Sequence, residues 1–147
     1  MKNVVIANDH GGVDLALKLI EHLKERGYSC NHLGCYDSSP VDYPDMADKA
    51  VEEYKRGGYD FGLLVCGTGI GISIRANKHS GIVCALPQNI FASAAAKEHN
   101  GANFIAFGGR IDYPDDPVKM LDAYIDTTVR DDPRHERRSE KLNSKAS

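Results

Sequence analysis

The sequence is short of the features that would send it to a membrane, a nucleic acid or a metal. No apolar run in its 147 residues approaches the roughly 20 needed to span a bilayer. The opening MKNVVIANDH has too short an apolar stretch for a signal segment and no small-residue cleavage pattern, so a cytoplasmic location is expected. Positive charge is not in excess: the net charge of −3 argues against a dedicated nucleic-acid partner, although the tail is locally basic. The four cysteines (Cys30, Cys35, Cys66, Cys84) lack CxxC spacing, which removes the usual zinc pattern, and a reducing compartment disfavours disulfides. What remains, 41% hydrophobic and 27% charged residues, is ordinary for one globular domain with a real core.

Periodicity divides the chain into alternating strands and helices. Val4–Ala7, Tyr28–Leu33, Phe61–Val65, Gly81–Leu86 and Asn103–Phe107 read as short apolar strands. Leu15, Leu19 and Leu23 recur at helical spacing up to Gly27, which suits the position just past a helix end. Further helices are expected from about Asp45 to Arg56, after the glycine loop at 67–71, from Asn89 to Glu98, and through Met120, Leu121, Tyr124 and Ile125. The strands are continuous apolar runs, so both faces are covered and the sheet is parallel. The expected fold is α/β: a three-layer α/β/α Rossmann-like domain with a five-stranded parallel sheet, spanning 1–130, and a C-terminal helical arm, 131–147. Right-handed crossovers then bring all strand carboxyl ends to one rim. Asp9-His10, Cys66 with its glycines, and Gly109-Arg110 follow the first, third and fifth strands and converge there.

The stretch Leu63–Ile74, LLVCGTGIGISI, is the centre of the rim. A buried strand ends at Cys66 and enters Gly67-Thr68-Gly69-Ile70-Gly71, where bare backbone amides and a helix start favour negative charge. The loop is neither the dinucleotide pattern nor a P-loop, since its spacing is G-x-G-x-G and the Lys-Ser/Thr pair is missing. Two readings of Cys66 stand: a small core residue, or a thiol placed where its thiolate is stabilised. Lowering a thiol pKa from ~8.5 to ~7 asks about 2 kcal/mol, within reach of a few aimed N–H groups. Asp9 suits an N-cap or a site carboxylate, while His10 has no capping role. His99-Asn100-Gly101 suits a helix C-cap or a site histidine, and Tyr43 before Pro44 a packed aromatic or a hydroxyl reaching the site. Arg110, on the rim, suits anion contact.

The tail from Arg130 has almost no apolar residues and six Lys/Arg against four acids, so it is a frayed end or an arm resting on another surface. Asp132-Pro133 fits a helix start. In that helix Arg134 and Arg138 share a face as a plausible phosphate clamp.

Together Asn8-Asp9-His10-Gly11, Asp42-Tyr43-Pro44, Cys66-Gly67-Thr68-Gly69-Ile70-Gly71-Ile72-Ser73, Ala76-Asn77-Lys78, His99-Asn100, Phe107-Gly108-Gly109-Arg110 and Arg134-His135-x-x-Arg138 resemble the type B ribose-5-phosphate isomerases. The resemblance runs in order along nearly the whole chain. It implies a cofactor-free, metal-free aldose–ketose interconversion of D-ribose 5-phosphate and D-ribulose 5-phosphate through an enediolate. By position, Cys66 is then the base, and Thr68 with the amides of Gly67, Gly69, Ile70 and Gly71 holds the oxyanion. His99 assists ring opening, Asp9 meets the ring oxygens, and His10, Arg134 and Arg138 take the phosphate, with Tyr43, Asn100 and Arg110 also on the substrate. It further implies a homodimer or tetramer whose sites are shared between subunits. The segment Ala85–Phe91 and the extra basic tail residues depart from the ribose pattern, which keeps isomerisation of a six-carbon sugar phosphate (allose or galactose 6-phosphate) as an alternative. A non-catalytic sugar-phosphate sensor is a third reading.

Overall fold

The computed structural model describes residues 2–145; Ala146 and Ser147, the end of the expected arm, lie outside the described residues. Five strands form one parallel sheet: β1 Asn3–Asn8, β2 Ser29–His32, β3 Phe61–Cys66, β4 Cys84–Ala85 and β5 Phe104–Gly108, in the spatial order β2-β1-β3-β5-β4. Six helices accompany them: α1 Val13–Glu25, α2 Tyr43–Lys55, α3 Ile70–Ala76, α4 Ile90–Glu98, α5 Pro117–Asp126 and α6 Pro133–Asn143.

Alternation along the strands feeds two cores. Val4, Ile6, Leu63, Val65, Ile105 and Phe107 pack with α1 and α5 on one face. Val5, Ala7, Leu64, Cys66, Phe104 and Ala106 pack with α2 and α3 on the other. Every one of these strand residues is buried, as a sheet covered on both sides requires. The expected three-layer α/β/α architecture is therefore the observed one.

Two elements differ from expectation by more than a residue at one end. The fourth strand is two residues long, not six. Gly81 turns the chain at φ +79°, the Asn103 and Asn77 side-chain carbonyls take the Val83 and Cys84 N–H groups, and only β5 pairs with the strand. Helix α2 starts at Tyr43, not Asp45, because Pro44 falls in the first turn, where its missing N–H costs nothing. The arm matches its signal: Asp132 accepts the Arg134 N–H at 2.8 Å as N-cap ahead of Pro133.

The strand order also sets the crevice. The chain runs outward from β1 to β2 on one side and from β3 towards β5 and β4 on the other, so β1 and β3 flank the switch point where a parallel sheet opens a cleft at its carboxyl edge.

Candidate active site

Three loops meet at that edge and are sewn together by backbone hydrogen bonds. Asp9 N–H donates to Val65 O (3.0 Å), Gly109 N–H to Cys66 O (2.8 Å) and Arg110 N–H to Gly67 O (2.9 Å). The convergence expected from the first, third and fifth strands is thus literal: these are the three central strands.

Cys66 is the last residue of β3 and is buried, and its Sγ accepts the Gly69 N–H at 3.1 Å. The contact depends on Gly69 turning at φ +79°, where a β-carbon would also meet Leu86 and the Phe107 backbone at 3.0 Å or less. Thr68 Oγ1 accepts the Ile70 N–H at 3.2 Å. The first intrahelical bond of α3 runs from Ser73 N–H to Gly69 O, so no intrahelical carbonyl serves the Gly71 or Ile72 amides. Tyr43, the first residue of α2, packs against Gly71, where a β-carbon would come within 2.4 Å of its ring.

These residues line an open cleft of about 420 Å³: Asp9, Tyr43, Cys66, Gly67, Thr68, Ile70, Gly71 and Ile74. Asp9 is buried and its Oδ1 accepts the Gly11 N–H at 2.8 Å. It is both the cap of the short turn His10–Gly12 and a wall of the cleft, so the two readings of this residue coexist. His10 follows it, half-buried, its Nδ1 accepting the Val41 N–H at 3.3 Å. Arg110 is exposed and lies over the loop: a β-carbon on Gly11 would come within 3.3 Å of its Cζ, and one on Gly67 within 3.3 Å of its Nη1.

The remaining candidates stand elsewhere. His99 caps the C-terminus of α4, and α4 precedes β5, so His99 and Asn100 lie at the opposite, amino edge of the sheet. Asn100 borders a separate cavity with Asn77, Cys84 and Leu142. Helix α6 runs beside this end of α4. His135 stacks on His99 with ring centroids 4.7 Å apart, Ser139 Oγ donates to His99 O at 3.4 Å, and Arg130 pairs with Glu98. Arg134 and Arg138 are exposed, and Arg134 donates to Asp132 at 3.1 Å, which holds that carboxyl at about 2. The Asp9–Cys66 cleft of one chain therefore lacks His99, Asn100, Arg134 and Arg138.

Sequence reasoning gave no role to three residues that shape the rim. Tyr113 Oη accepts the Gly108 N–H at 2.8 Å, and burial raises its phenol pKa. A signal existed: Asp112-Tyr113-Pro114 repeats Asp42-Tyr43-Pro44. The other two, Asn8 and His32, are joined by a 2.6 Å hydrogen bond. Among the remaining cysteines Cys84 is buried, its thiol pushed up to about 12, and Cys30 is half-buried at a sheet edge; both serve as packing. Among the described residues no cluster of His, Cys, Asp or Glu is arranged to hold a metal ion, and no helix is long and apolar enough to cross a membrane.

The geometry has close counterparts. The sequence profile described as Ribose/Galactose Isomerase matches residues 4–142. A putative sugar phosphate isomerase of Bacillus subtilis is 40% identical over 140 residues, covering 95% of this chain and 93% of the relative. Ribose-5-phosphate isomerase B of Escherichia coli is 33% identical over 142 residues, covering 97% and 95%. Among solved structures, a ribose 5-phosphate isomerase from Thermotoga maritima superposes with a TM-score of 0.91 at 35% identity, covering 97% of each chain. With such matches running almost end to end, the chain belongs to the ribose/galactose isomerase family.

Proposed function

We propose that the protein interconverts D-ribose 5-phosphate and D-ribulose 5-phosphate, with Cys66 as the base. The observation that carries this reading is Cys66 among the residues lining the cleft, its sulfur accepting the Gly69 N–H, with Asp9, Tyr43 and Thr68 around the same space. In the open-chain aldose the Cys66 thiolate takes the proton from C2. Electrons move into the C1 carbonyl, giving an enediolate whose oxygens face Thr68 and the amides at the start of α3. The same proton returns to C1 and the hydroxyl proton on O2 passes to O1, so the reaction balances with no co-reactant. A positioned base contributes about 10²–10⁴-fold, and preorganised donors at the oxyanion a further large share.

Ring opening and phosphate binding fall to groups outside the one-chain cleft. In this reading His99, Asn100, Arg134 and Arg138 come from a second copy, with His10 and Arg110 completing the set. Ile70 and Ile74 at the cleft mouth and Phe91 on α4, exposed by 52%, 55% and 79%, supply apolar surface for a partner to cover. The domain at 1–130 then holds the reacting end of the sugar, and the arm from 131 reaches the phosphate of a neighbour's substrate.

The test is a side-by-side assay on ribose 5-phosphate and allose 6-phosphate. Faster turnover per KM on the pentose is expected. Faster turnover on the hexose moves the reading to a six-carbon substrate, and binding without turnover of either replaces it with a sensor.

A further inference from the structure

Asn8 closes β1 with every polar group engaged. It is fully buried, its backbone N–H donates to Gly34 O at 2.8 Å, and its backbone carbonyl accepts the Cys35 N–H at 2.8 Å. Its side-chain amide nitrogen donates to the Asp9 and Cys35 carbonyls, both at 3.0 Å. Two carbonyl acceptors fix the amide orientation, leaving Oδ1 to face the His32 Nε2 at 2.6 Å. An amide oxygen only accepts, so His32 carries its proton on Nε2. The imidazole is held in turn by Tyr36, packed edge-on with centroids 5.0 Å apart, whose hydroxyl donates to the His32 carbonyl at 2.8 Å. Burial lowers the His32 pKa and favours the neutral ring.

This chain of contacts ends in the site. The carbonyl that Asn8 grips belongs to Asp9, a residue lining the cleft. The other carbonyl anchors the loop leading to Val41, which donates to His10, and on to Tyr43. We infer that His32 is a positioning residue for the Asp9 side of the active site, acting through the Asn8 amide without touching substrate. Losing the His32 donor leaves a buried carbonyl oxygen unpaired and frees the amide to rotate away from Asp9 and Cys35. The inference rests on the proposed isomerisation only for its readout.

The experiment compares His32→Ala with His32→Gln, whose amide nitrogen lies as many bonds from the backbone as the histidine Nε2. With ribose 5-phosphate, His32→Ala is expected to lose at least about tenfold in kcat/KM, as one lost buried hydrogen bond at the site implies. His32→Gln is expected to recover most of that loss. Wild-type activity in His32→Ala, or a His32→Gln protein no better than His32→Ala, overturns the inference. Should the alanine protein not fold, ¹H–¹⁵N NMR of the wild type decides: a proton on Nε2 supports the assignment, one on Nδ1 overturns it. An inactive wild type would instead sink the proposed function, and the NMR result would still judge the His32–Asn8 pair.

Discussion

The carboxyl rim of the sheet and the end of α4 with its arm carry ionisable side chains in opposite physical settings. At the rim, Asp9 and Cys66 are buried, each accepts a backbone N–H, and three loops lock the surrounding backbone together. At the other end, no residue of α6 is buried, and Arg134 and Arg138 stand in solvent. A carboxylate and a thiol that do chemistry have to be held in a fixed geometry before substrate arrives. Guanidiniums that bind a phosphate can be delivered on a mobile surface and lose little, because their attraction is long-ranged and their fork is already planar. Under the proposed function, the contrast means that one chain contains a finished reaction half and an unfinished binding half.

The largest effect expected from breaking this comparison is at Cys66. Cys66→Ala should lower kcat by about 10²–10⁴-fold or more while leaving binding of ribose 5-phosphate nearly intact, measured by turnover and calorimetry. Near wild-type turnover would remove Cys66 as the base. Ending the chain before Arg134 should act on the other half: KM rises steeply. Each arginine lost from a phosphate is expected to contribute about tenfold to a hundredfold, from about 1.5–3 kcal/mol per hydrogen bond to a charged group. Unchanged kinetics would make the arm a solvated appendage.

Smaller effects sharpen the rim. Gly69→Ala forces a side chain into φ +79° against Leu86 and the Phe107 backbone, so a loss of about 1–3 kcal/mol is expected in denaturant titrations, together with lower kcat. The smallest is electrostatic. Asp48 on α2 accepts from Arg75 of α3 and from His79, and these partners hold its carboxyl below the usual range. A lowered folded-state pKa means the contribution is present above the unfolded carboxylate value and is lost as pH falls through the folded one. Acid unfolding of Asp48→Asn should therefore be less steep below about pH 4 than that of the wild type.

Much of this was legible in the residues. Apolar runs without alternation announced a parallel sheet, and the position of Asp9, Cys66 and Arg110 after odd-numbered strands placed them on one rim. The strand order was not legible, because periodicity reports which faces are buried and carries no information on neighbours; that β5 inserts between β3 and β4 is a property of packing. The short fourth strand escaped for a similar reason: Gly81–Leu86 is apolar enough for a strand, but the Asn77 and Asn103 amides that take its backbone donors come from elsewhere in the chain. The pairing of His32 with Asn8 was not legible, since nothing in the neighbourhood of His32 announces a partner 24 positions earlier.

The separation of His99 from Cys66 in one chain leads to the most direct measurement. Cys66→Ala and His99→Ala, each inactive alone, are mixed under conditions where subunits exchange. If a working site takes Cys66 from one copy and His99 from another, mixed dimers contain one intact site and one doubly damaged site. Random reassortment then restores about one quarter of wild-type activity. A mixture that exchanges subunits and stays as inactive as its components would contradict the shared site.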